Sequence, residues 1–210
     1  MNPIFSIWAH PTETLKYMRA KNSMGYSLLI FLLASISVGM VSMMNSGIFT
    51  GMPIILIVLI SIVISFVGAI IGWFISSALF TWVGKWLGGR GRFSDMLNVT
   101  PASSILQIWL SPMNLALLVL YGSTLFEAPA SEFEVTNIPL GVFFLVNLVN
   151  LAVGIYGIVI TSKGIGLVHG FSAWRGFGAV AIITGILIVI GIILVLIFGA
   201  IIFAIVTAAF

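Results

Sequence analysis

The sequence has no cysteine and very little charge: eight Lys and Arg and five Asp and Glu among 210 residues, or 6%. About a quarter of an ordinary soluble chain is charged. Without cysteine there are no disulfides, no thiolate metal sites and no cysteine nucleophile. The shortage of charge comes with a hydrophobic content of 61% and a mean hydropathy of +1.28. No water-soluble fold of this size buries so much apolar surface, so a soluble globular enzyme, a disordered tail and a nucleic-acid-binding domain are all excluded. The solvent of this chain is the membrane. Its net charge is +3, but with so few charges their positions matter more than their sum.

Residues 22–84, 96–126, 135–162 and 176–210 contain no Lys, Arg, Asp or Glu. A helix crosses the hydrocarbon with about 20 residues, so the first run holds two crossings and each of the others one. Asn45, Ser46, Gly47, Gly51 and Pro53 punctuate the first run and divide it. The pattern predicts an all-α integral membrane protein with five transmembrane helices in a bundle, near 24–44, 53–83, 99–121, 138–161 and 177–208. The second and fifth exceed the minimum length and are expected to tilt or to extend past the hydrocarbon. A β-barrel is excluded, because the apolar runs do not alternate and are too long for strands. With this topology Lys16, Arg19, Lys21, Lys85, Arg90, Arg92, Lys163 and Arg175 fall on one side, which the positive-inside rule makes cytoplasmic. The loop at 122–137 then faces outward with Glu127, Glu132 and Glu134, and the carboxy-terminal stretch from Thr207 to Phe210 is exoplasmic.

Residues 1–23 are expected to form a cytoplasmic amphipathic anchor, separate from a membrane domain at 24–210. Pro11 followed by Thr12 and Glu13 marks a helix start, after which Leu15 and Met18 share a face while Lys16 and Arg19 project to the headgroups. Phe5, Ile7 and Trp8 add apolar and aromatic weight at the interface. His10, Pro11 and Glu13 stand where a signal peptide needs an apolar core.

Trp8, Pro11 and Thr12 ahead of a basic helix and five crossings resemble bacterial members of the Yip family, the Ypt-interacting-protein-like membrane proteins. The stretch Gly84-Lys85-Trp86-Leu87-Gly88-Gly89-Arg90-Gly91-Arg92-Phe93 is similar to that family's Gly-Gly-x-Gly-x-Phe segment. So are Pro101-Ala102-Ser103 at the third crossing and Gly166-Leu167-Val168-His169-Gly170-Phe171-Ser172 with Arg175 nearby. The resemblance implies a bacterial cytoplasmic-membrane protein acting as an adaptor or accessory subunit, connected in some cases with ABC-type exporters, with no catalytic centre and no cofactor.

Several groups carry candidate chemistry. Lys85, Trp86, Arg90 and Arg92, with Lys163 and Arg175, form two basic inner loops suited to lipid phosphates of an anionic inner leaflet or to a partner. The glycines at 84–91 have neither the spacing nor the strand context of a nucleotide cradle. Ser61, Ser65, Gly68, Gly72 and Ser76 make a small-residue stripe for close helix packing, within the bundle, with a second copy or with a partner. Pro101 and Ser111-Pro112 interrupt the third crossing, and Pro112 is expected to kink it. Gln107 and Asn114 on that crossing and Asn147 and Asn150 on the fourth are expected to satisfy one another or freed carbonyls as an intramembrane polar cluster. The same four residues suit a polar path for a lipid, as broken helices do in transporters. His10 and His169 lack the carboxylate company of a metal site. Ser103, Ser104 and Ser172 lack a nucleophile elbow, and Asp95 is the only acid near them, so an enzyme is the weakest class. The function expected is a non-enzymatic adaptor, with a lipid-binding or lipid-translocating protein as the alternative.

Overall fold

The computed structural model describes residues 1–131 and 133–208, with side chains up to Ile201. Glu132 of the acidic loop and the last two residues lie outside the described residues. Every regular element among the described residues is helical. The order is α1 (Pro3–Ala9), α2 (Pro11–Lys21), α3 (Met24–Gly39), α4 (Ile54–Trp86), α5 (Phe93–Val99), α6 (Pro101–Ile108), α7 (Ser111–Tyr121), a 3-10 turn (Gly122–Leu125), α8 (Leu140–His169) and α9 (Ala173–Ala208).

Helices α4 and α8 and the described part of α9 are each long and apolar enough to cross a bilayer. The stretch from α5 through α7 is a bent apolar pair, with 42° between its halves, of the kind that forms a broken crossing or a re-entrant loop. The bend falls where Ser111-Pro112 predicted it, because proline has no N–H for the preceding turn. Helical structure on this stretch begins at Phe93, in α5. Helix α3 has 16 residues and does not reach crossing length by itself. It ends at Gly39, where a Cβ would lie 2.7 Å from the Ile62 backbone, so α3 and α4 cross in direct backbone contact there. Among the described residues three helices have crossing length, or four when the bent pair counts as one span.

Helices α4, α8 and α9 have 33, 30 and 36 residues. At about 1.5 Å per residue each is longer than the roughly 30 Å of hydrocarbon. The surplus is used at one end, where Ile7, Leu15, Met18, Val83, Met96, Val99, Ile165 and Val168 share a buried cluster. A second cluster at the other end joins Ile57, Leu117, Leu125, Phe126, Ile138 and Val146. There the Asn45 and Gly47 N–H groups donate to the carbonyls of Leu125 and Phe126, fastening the two loops of that end together.

The amino-terminal segment uses its apolar face on the protein. Leu15 and Met18 are buried against the bundle, and residues 3–21 share the core cluster of the membrane domain. Trp8 stacks on Tyr156 with centroids 5.2 Å apart, and the Tyr156 hydroxyl donates to the Ile7 carbonyl at 2.9 Å. Phe5 meets Trp109 edge-on, and Trp109 Nε1 donates to the Ile4 carbonyl at 3.0 Å. Thr14 Oγ1 donates to the Ser6 hydroxyl, tying α2 to α1.

Candidate functional site

The cationic end is built around one histidine. His169 closes α8 and is 4% exposed. A Cβ on Gly84 or Gly89 would run into its ring, and one on Gly91 would come within 2.9 Å of it. The Gly91 N–H donates to His169 Nδ1 at 3.2 Å, and the Arg90 N–H donates to the His169 carbonyl. With Nδ1 accepting, the ring is neutral and carries its proton on Nε2. Nε2 is buried and faces the Phe80 backbone, without a well-formed hydrogen bond. Phe171 stacks on the ring, and Gly170, at φ +75°, turns the chain toward α9. The glycine-rich segment thus receives an imidazole about 80 residues away in sequence rather than a phosphate.

The basic residues gather around this joint. Arg19 donates twice to Asp95 Oδ2, at 3.1 and 2.8 Å, and once to the Leu167 carbonyl. Its side chain is 40% exposed, so this pair contributes little energy and acts as a positional tie among α2, α5 and α8. Lys85, Trp86, Arg90, Arg92 and Arg175 are exposed and Lys163 is half-buried. Lys163 borders an apolar cavity of about 370 Å³ between α8 and α9, with Trp174 and Phe177 on its far wall.

The small-residue stripe divides along α4. Ser61 is buried, Ser65 and Ser76 are half-buried, and Gly68 and Gly72 are exposed with nothing within 4 Å of an added Cβ. The close helix crossings lie elsewhere, at Gly39 against Ile62 and at Gly176 against the Ser162 carbonyl.

The four amides do not bond to one another among the described residues. Asn114 is buried and donates to the Ser37 carbonyl at 2.9 Å and to the Ser37 hydroxyl at 3.2 Å, joining α7 to α3. Asn147 and Asn150 each turn back to a carbonyl of their own helix, at Phe143 and Val146. Of the two kinds of partner expected, one another or carbonyls, Asn114, Asn147 and Asn150 take carbonyls, and Asn114 Oδ1 has no partner among the described residues. Gln107 stands apart from all three, facing a cavity.

That cavity, of about 340 Å³, lies among α4, α6, α8 and α9. Ser103, Ser104 and Gln107 form its α6 wall, and Gly154, Gly157 and Thr161 its α8 wall. It adjoins two smaller cavities of about 290 Å³ each, which share Phe80 with it and reach Gly72 and Ser76. Together they make a branched cleft. The α8 wall escaped the sequence reading, although Gly154, Gly157 and Thr161 recur at three- and four-residue spacing, which is a helical stripe. His10 is exposed at the α1–α2 joint, with no part in the cleft or the His169 lock.

Residues 5–197 match the sequence model described as the Yip1 domain. No curated protein and no solved structure matches the chain.

Proposed function

This chain belongs to the Yip1-domain family, and from that premise we propose that it is a non-enzymatic adaptor or accessory protein of a bacterial cytoplasmic membrane. Its apolar helices make it an integral membrane protein. In the proposed topology α3 and the turns after it complete a fifth crossing, the amino terminus and all eight cationic side chains lie inside, and the carboxy terminus lies outside.

The observation that carries the adaptor reading is α9. Every described residue of α9 from 184 to 201 is exposed, and beyond Thr184 and Leu187, which line a cavity against α4, these residues pack little on their own chain. In lipid, helix position is held by close packing and interhelical hydrogen bonds, not by a hydrophobic force. A long helix held only at one end is suited to dock on another membrane protein, such as an exporter subunit, or on a second copy. The open Gly68 and Gly72 face of α4 offers a second place of close approach. Lys85, Trp86, Arg90, Arg92 and Arg175 would meanwhile hold the cationic end on the anionic inner leaflet.

Photocrosslinkers at Leu187, Leu194 and Gly68 in living cells test this reading. The expected result is a discrete protein adduct that survives stringent detergent, whether heterologous or a dimer. Adducts with lipid alone at all three positions would overturn it.

A second reading, lipid binding, is favoured by one observation. The branched cleft holds hydroxyl and amide side chains and no charged side chain in its lining.

A further inference from the structure

Within that lipid-binding reading, on which this inference rests, we propose that the cleft between α6 and α8 is a binding site for an uncharged, hydroxyl-bearing lipid of the diacylglycerol class. The argument starts from hydrogen-bond accounting. Several hydroxyls on these helices bond a carbonyl of their own turn: Ser103 to Thr100, Ser162 to Ile158, Thr81 to Ser77 and Ser76 to Trp73. Ser77 donates instead to the Thr100 hydroxyl, and Ser61 has no partner among the described residues. Ser104, Gln107 and Thr161 make no such carbonyl bond. Each is half-buried, each lines the same cavity of about 340 Å³, and none has a side-chain partner among the described residues. Their polar atoms are not among the buried unpartnered ones, so they stay open to a partner that enters the cavity.

The cavity also states what that is. No charged side chain lines it, and Lys163 borders the other cavity, between α8 and α9. A phosphate would have to give up its hydration with no cation to receive it. Ser104, Gln107 and Thr161 each both donate and accept, which suits a ligand with a hydroxyl donor and ester carbonyl acceptors. Gly154 and Gly157 leave the α8 wall without bulk: a Cβ at Gly154 meets nothing, and one at Gly157 meets only Leu106, at 3.8 Å. Apolar side chains of Phe80, Leu106, Val153, Ile158 and Val180 complete the lining for the glycerol backbone and the first chain carbons. Thr161 lies eight residues before His169, about 12 Å along α8 from the cationic end. That depth is near the ester layer of the leaflet in which a diacylglycerol's hydroxyl would sit.

The test uses the full chain in nanodiscs of phosphatidylethanolamine and phosphatidylglycerol doped with a photoreactive diacylglycerol. Label is expected on α6 or on the Gly154–Thr161 stretch of α8, competed by unlabelled diacylglycerol and not by phosphatidylglycerol of the same chains. The shape-conserving pair Thr161→Val and Gln107→Met should lower labelling roughly tenfold by removing two hydrogen-bonding groups. In ligand-free detergent the same variants should keep or raise Tm, since they remove groups that lack partners. A fall in Tm that tracks the loss of label would mark a structural role and overturn the proposal, as would labelling that the variants leave unchanged. Labelling of this cleft by a photoreactive phosphatidylglycerol, and not by diacylglycerol, would overturn the uncharged class while leaving lipid binding standing. No label from either lipid at α6 or α8 would overturn both.

Discussion

At the residue scale, glycine divides into two kinds that the sequence does not distinguish. Gly84, Gly89 and Gly91 lie against His169 so closely that a methyl group has no room, whereas Gly68 and Gly72 face open space. Gly84→Ala is expected to cost about 1–3 kcal/mol through overpacking of a rigid ring against a helix backbone. Gly72→Ala should fall within about 0.5 kcal/mol of the parent in the isolated protein. Reversible unfolding in mixed detergent checks both. Removing the ring should relieve the first: Gly84→Ala with His169→Ala is expected to cost less than the sum of the two single changes, by about 0.5–3 kcal/mol of coupling. Additive costs would separate the glycine from the histidine. The segment 84–93 reads along the sequence as a basic loop at the membrane surface; in the fold it starts as the last turn of α4, and Lys85, Arg90 and Arg92 are exposed. Its glycines serve an imidazole on another helix, a contact that spacing within the segment cannot encode.

At the scale of elements, polar residues in the crossings acquire different weights from their settings. Asn114 joins α7 to α3 through Ser37, while Asn147 and Asn150 bond their own helix. Asn114→Leu is therefore expected to cost about 1 kcal/mol, in the range of intramembrane interhelical hydrogen bonds, and Asn147→Leu close to nothing. A denaturant series in detergent micelles distinguishes them, and equal losses would contradict the assignment. The kink at Pro112 was legible because proline acts on its own turn. The partner of Asn114 was not, because Ser37 lies on a helix that only the fold brings alongside. Helices α1 and α2 give a parallel case. Their amphipathic pattern is readable, but whether the apolar face meets lipid or protein depends on Tyr156 and Trp109 being within reach. Trp8→Ala is expected to speed hydrogen exchange across residues 3–21 while leaving α4 and α8 unchanged. Uniform protection in the variant would mean that the stack does not hold the segment.

At the scale of the whole molecule, the two ends differ in charge and in construction. Arg19, Asp95, Leu167, Arg90 and His169 are interlocked at one end, and the loops after α3 and α7 are fastened together at the other. The absence of cysteine makes orientation directly measurable. In spheroplasts, a cysteine at Ser131 is expected to react with an impermeant maleimide, and a cysteine at Arg90 only after the membrane is opened; the reverse pattern would invert the proposed topology. What the sequence by itself determined was the solvent, the helical class and the confinement of the cations to segments outside the charge-free runs. Those follow from composition and from the length of charge-free runs, which are local quantities. The tertiary structure alone decided which glycines are indispensable, which amides find a partner, and that hydroxyls from α6 and α8 face a common cleft. Each of those depends on side chains far apart in the chain meeting at distances of a few ångströms, and helical periodicity sets the face of a residue without naming its neighbour.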